Sequence, residues 1–103
     1  MSTVTAVQMF DPPHPGEFIV ETYLKPFDLS ARVLAAKLEV SPSTLTRVLN
    51  RSSRVTPEMA LRLSRVLGRS AESWLSMQDA FDLGEARARL DIQRLTPVEF
   101  DVA

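Results

Sequence analysis

The chain has 103 residues, 45% of them hydrophobic and 24% charged, with a formal charge of −1: one globular domain with material for one small core. It has no cysteine, which excludes disulfides, a thiolate metal site and a cysteine nucleophile. No apolar run reaches the ~18 residues of a membrane span, and no basic-then-apolar leader opens the chain, so a cytoplasmic protein without membrane contact is expected.

The small total charge conceals three blocks. Residues 1–29 carry −3, residues 30–69 carry +6 from eight bases and two acids, and residues 70–103 carry −4. A polyanion can find the basic middle even though the molecule as a whole is slightly acidic.

Residues 1–13 lack periodicity and end in Asp-Pro-Pro, which predicts a flexible or extended N-terminal arm. Pro15 suits the first position of a helix, with His14 before it and Glu17 near its positive end. Phe18, Ile19, Thr22 and Tyr23 follow at helical spacing, and Pro26 stops the run. Ser30 is a good N-cap for a second helix whose inward stripe is Leu34, Ala35 and Leu38. Glu39-Val40 makes a tight break. Ser41 caps a third helix with Pro42 in its first turn. Leu45, Val48 and Leu49 face inward there, which leaves Ser43, Thr44 and Arg47 outside.

Asn50 to Arg54 reads as a basic polar loop. Thr56-Pro57-Glu58 starts a fourth helix with Met59, Ala60, Leu63, Val66 and Leu67 on its apolar face, and Gly68 ends it. Ser70 caps a fifth helix through Trp74, Leu75, Met77, Gln78, Phe81 and Leu83 toward Leu90. No hairpin signal or internal repeat occurs. The expected fold is all-α: five helices over residues 14–90, preceded by the arm and followed by a short C-terminal tail, 91–103. That tail reads equally as a short extra element, a partner-binding strand or a frayed end.

The segment from Leu29 to Thr56 carries the functional signal. Its break of about three residues is too short for most antiparallel hairpins and suits two helices held at a fixed angle. Such a pair presents its second helix to the DNA major groove, which is just wide enough to admit it. Ser43 and Thr44 are small enough for close approach to a base edge or phosphate, and Arg47 lies one turn along the same face, where arginine reads guanine with two hydrogen bonds. Catalysis has no such support. His14 is the only histidine and has no spaced ligand set, no nucleophile–base–acid arrangement is visible, and three glycines cannot supply a phosphate loop. Neither a metal nor a cofactor is expected, and His14 reads as the residue that opens the first helix.

The run HPGEF, then LSARVLAAKLEVSPSTLTRVLNRSSRVTPEMALRLSRVLG, then SAESWLSMQDAFDL resembles the HigA antitoxins, members of the Cro/C1-type (XRE) helix-turn-helix group. The middle alone would support only the broad repressor group; the flanking HPGE and SxxxWLxxQxAxDL segments narrow it. The resemblance spans about His14 to Leu90 and implies a lambda-repressor-like domain. It puts base reading at Pro42, Ser43, Thr44 and Arg47, with Pro42 limited to van der Waals contact. Asn50, Arg51 and Arg54 fall where such proteins contact phosphates, and Ser41 and Arg32 complete the expected phosphate set. The chain departs from the group at two turns: Glu39 stands where glycine is usual, and Arg51 replaces the glycine of a common Asn-Gly pair. A left-handed non-glycine residue costs about 1 kcal/mol.

Apolar residues late in the fifth helix exceed what so small a core can cover, which puts a homodimer interface at Met77, Phe81, Leu83 and Gly84. Twofold repressors bind half-sites one helical turn apart. The resemblance further implies a HigB/RelE-like mRNA-cleaving toxin as partner and double-stranded operator DNA as ligand. A stand-alone repressor with no toxin is the alternative, and a protein-interaction module that never touches DNA is a third reading.

Overall fold

Each major helix starts where a short polar side chain can satisfy backbone N–H groups that would otherwise lack a partner. The computed structural model describes residues 12–101. In it Ser30, Ser41, Thr56 and Ser70 each accept from the backbone N–H three residues on, at 3.1 to 3.2 Å. These caps open α2 (Ala31–Leu38), α3 (Pro42–Leu49), α4 (Pro57–Leu67) and α5 (Ala71–Arg89). Proline fills the first helical position of α3 and α4, where its missing N–H costs nothing.

The first helix, α1 (Pro15–Ile19), departs from simple expectation. It widens directly into a π-helical turn over Val20–Leu24, carried on by the Lys25 N–H bonding to the Val20 carbonyl at 3.0 Å. The wider turn puts two aromatic rings five residues apart within reach of each other. Phe18 and Tyr23 meet at 6.1 Å, and both lie against Trp74, at 5.9 and 6.4 Å. Periodicity had given no sign of it.

Both glycine-less turns adopt the left-handed geometry that their positions imply. Glu39 ends α2 at φ 60° and Arg51 follows α3 at φ 71°; Asp28 is also left-handed, at φ 52°. Gly68 ends α4 at φ 99°.

The core is a single cluster around the fully buried Trp74, with Ile19, Leu34, Ala35, Leu45, Val55, Ala60 and Leu63 also fully buried. Leu49, expected inward, is only half-buried. The Trp74 indole nitrogen has no hydrogen-bond partner among the described residues; Arg69 lays its guanidinium over the faces of Trp74 and Phe18 instead. Past α5, a single 3-10 turn at Ile92–Arg94 leads into an extended, exposed tail. Among the described residues there is no strand, and the expected arm lies outside them except for Pro12 and Pro13.

Candidate nucleic-acid interface

α2 and α3 form the helix pair. Ser41, at the bend, joins three hydroxyls at the start of α3. Its Oγ accepts the Thr44 N–H at 3.1 Å, donates to the Thr44 hydroxyl at 2.8 Å and lies 3.2 Å from the Ser43 hydroxyl. Ser41, Pro42, Ser43 and Arg47 are exposed, and Thr44 is half-buried. The sequence-predicted reading residues therefore share one solvent-facing helix; Pro42 has no N–H and Ser41 takes that of Thr44, which leaves the Ser43 N–H as the outward donor of its first turn. Arg47 and Arg32 are both exposed, and neither guanidinium has an ion-pair partner among the described residues.

The position of α3 is fixed from behind by α1. A Cβ built on Gly16 would lie 1.9 Å from the Val48 carbonyl oxygen and 2.8 Å from the Leu49 Cα. Glycine is thus what lets the first helix touch the backbone at the end of α3. His14 sits beside it, 2% exposed, and its Nδ1 accepts the Gly16 N–H at 2.9 Å. The ring meets Phe81 edge-on at 4.9 Å and has the Ser53 backbone beside it. Burial first, and the Arg51 charge second, hold its pKa below the ordinary histidine value. The expectation that His14 opens the first helix is met, and the same side chain also braces the loop after α3.

That loop is closed by its own polar groups and by α5. The Arg47 carbonyl accepts from the N–H groups of Ser52 and Ser53, both at 2.9 Å. The Asn50 carboxamide oxygen turns inward to the Ser52 N–H and hydroxyl, so only its amide group faces outward as a donor. Arg51 lies over the Phe81 ring at 5.7 Å and 4.0 Å from Glu17. Arg54 reaches Asp82 of α5 with Nη2 at 2.9 Å and Nε at 3.3 Å.

Gln78 was missed as a functional residue by sequence reasoning. It is 1% exposed; its Oε1 accepts the Val55 N–H at 2.7 Å and its Nε2 donates to Asp82 at 3.1 Å. A glutamine one turn after Trp74, inside an apolar helix stripe, was the available signal.

The residues expected at a dimer interface are divided. Met77 packs against the core. Phe81 is half-buried, with the His14 ring and the Arg51 guanidinium against it within the chain, so it is partly covered rather than wholly surplus. Gly84 is half-buried, with a Cβ there only 3.6 Å from Pro12. Leu83 alone is exposed, at 50%.

A family model described as "Helix-turn-helix" matches residues 20–74. Virulence-associated protein I of Dichelobacter nodosus is 44% identical over 89 residues, covering 85% of this chain and 82% of that protein. Antitoxin HigA-1 of Vibrio cholerae is 31% identical over 72% of this chain and 70% of its own length. Among solved structures, the antitoxin GraA superposes with a TM-score of 0.78 at 37% identity, over 87% of this chain and 97% of that one. Pseudomonas aeruginosa antitoxin HigA, solved with the higBA promoter, gives 0.76 at 33% identity, over 85% and 96%.

Proposed function

Because the chain belongs to the XRE-type helix-turn-helix family, alongside the HigA antitoxins it resembles, we propose that it is the antitoxin of a type II toxin–antitoxin module. In this reading it binds its own operator as a dimeric autorepressor and neutralises a RelE-like mRNA-cleaving toxin. One observation carries the DNA half: the start of α3 is an exposed face of hydroxyls, and Arg47 on the same helix has no ion-pair partner among the described residues.

Ser43, Thr44 and Arg47 read base edges, with Pro42 in apolar contact. Ser41, Asn50, Arg51, Arg54 and Arg32 hold phosphates and make binding salt-dependent. Two copies of α3 enter successive major grooves, with Leu83, the exposed member of the expected dimer set, at the subunit contact. Occupancy of the promoter excludes polymerase and needs no chemistry.

Fluorescence anisotropy on the duplex upstream of the gene tests this reading. Replacing Arg47 with Ala is expected to weaken operator binding by about 1–3 kcal/mol while leaving binding to an unrelated duplex less affected. Unchanged operator affinity would remove α3 from the interface. Capture of the product of the adjacent reading frame tests the toxin half, and a chain that represses with no such partner is a stand-alone repressor.

A further inference from the structure

Arg54 is the one residue of the expected phosphate set that the structure gives a strong carboxylate partner. Its Nη2 and Nε both reach the same Asp82 oxygen, at 2.9 and 3.3 Å, and its Nη2 lies 3.5 Å from Asp79. The Asp82 carboxylate is not free to swing away. Its other oxygen accepts from Gln78, whose own carbonyl holds the N–H of Val55, the residue after Arg54. The four groups form a closed ring: guanidinium, carboxylate, carboxamide, and the backbone beside the arginine. Because Gln78 is 1% exposed, the ring is anchored in the core, and the side-chain ordering that ordinarily weakens a surface ion pair is already met.

We propose that Asp82, backed by Asp79, is an internal competitor for the phosphate that Arg54 would hold, and so sets the strength of DNA binding. The inference rests on the DNA-binding reading above. A guanidinium engaged with two N–H groups on a carboxylate cannot present them to a phosphate at the same time. Only Nη1 is left for a second anion, so a phosphate that takes Arg54 by its two-donor edge has to displace Asp82. Arg47 and Arg32 make no such exchange.

Asp82→Asn is the isosteric test, since its side-chain oxygen still accepts from Gln78 while the charge facing Arg54 is gone. The full-length protein, D82N, R54A and R54A/D82N are titrated onto the duplex upstream of the gene and onto an unrelated duplex, across a salt series. D82N is expected to bind both duplexes about two- to fivefold more tightly, the range an exposed ion pair supports. R54A is expected to weaken both and to flatten the log–log salt slope by about 0.9, the value of one phosphate contact. In the R54A background, D82N is expected to restore little. An equal gain from D82N with and without Arg54 would mean a general charge effect and overturn the proposal, as would no gain at all. Wild-type protein that binds neither duplex would overturn the DNA-binding reading itself.

Discussion

Gly16→Ala is a single methyl added where the structure has no room for it. The new carbon would lie 1.9 Å from the Val48 carbonyl oxygen, whereas real contacts do not fall below 3.0 Å, so the helices must part by about 1 Å. Neither neighbour is a flexible side-chain tip; both are backbone at the end of α3. Overpacking of this kind costs about 1–3 kcal/mol, and rigid surroundings put it at the upper end. Alanine returns at most about 1 kcal/mol through its better helix propensity. The net expectation is a loss of about 2 kcal/mol, or roughly 10 °C in Tm for a domain this size.

Gly84→Ala supplies the contrast. The same methyl there meets only Pro12, at 3.6 Å, and lies well inside α5, so a gain of about 0.5–1 kcal/mol is expected. Thermal unfolding followed by circular dichroism decides the matter. If Gly16→Ala melts at or above the wild type, the close approach of α1 to α3 is not real.

Three further outcomes are expected. His14 is held neutral in the fold, so the unfolded chain takes up its proton more readily; stability should be full above the ordinary histidine value of 6.5 and fall as pH drops through the lower folded value. With only one histidine in the chain, melts at roughly pH 7.5, 6.5 and 5.5 should show this slope, and His14→Asn, which keeps a cap acceptor, should flatten it. Glu39→Gly relieves a left-handed turn and should raise the urea midpoint by the equivalent of about 0.5 kcal/mol, after the extra freedom of glycine in the unfolded chain is subtracted; a lower midpoint would show that the turn carries no strain. Gln78→Leu keeps the volume but leaves the buried Val55 N–H without its acceptor, and should cost about 1–3 kcal/mol by chemical denaturation.

The features legible in the sequence were those governed by local chemistry. Ser30, Ser41, Thr56 and Ser70 were identified as caps because capping needs only a short oxygen-bearing side chain three residues before an N–H, and all four act as caps. The left-handed geometry at Glu39 and Arg51 followed from where the helix-turn-helix group usually places glycine. The outward position of Ser43 and Arg47 followed from the helical period. What escaped was non-local. Gln78 bonds a backbone group 23 residues away and Arg54 reaches an aspartate 28 residues on, and such pairings leave no periodic trace. Phe81 looked like surplus for the same reason, since its cover comes from His14 at the other end of the chain. The role of Gly16 was hidden as well: a glycine in a first helical turn looks the same whether it is tolerated or required.

The buried indole of Trp74 has a practical consequence. It is the only tryptophan, it is fully buried, and its N–H has no partner among the described residues. Its fluorescence should therefore be emitted at the short-wavelength end of the tryptophan range, shift to longer wavelength on unfolding, and resist aqueous quenchers until then. Because the chain has no cysteine, one introduced thiol would accept a single acceptor dye without competing sites. Placed at Leu83 or on the tail, that dye would turn Trp74 into a built-in ruler for energy transfer.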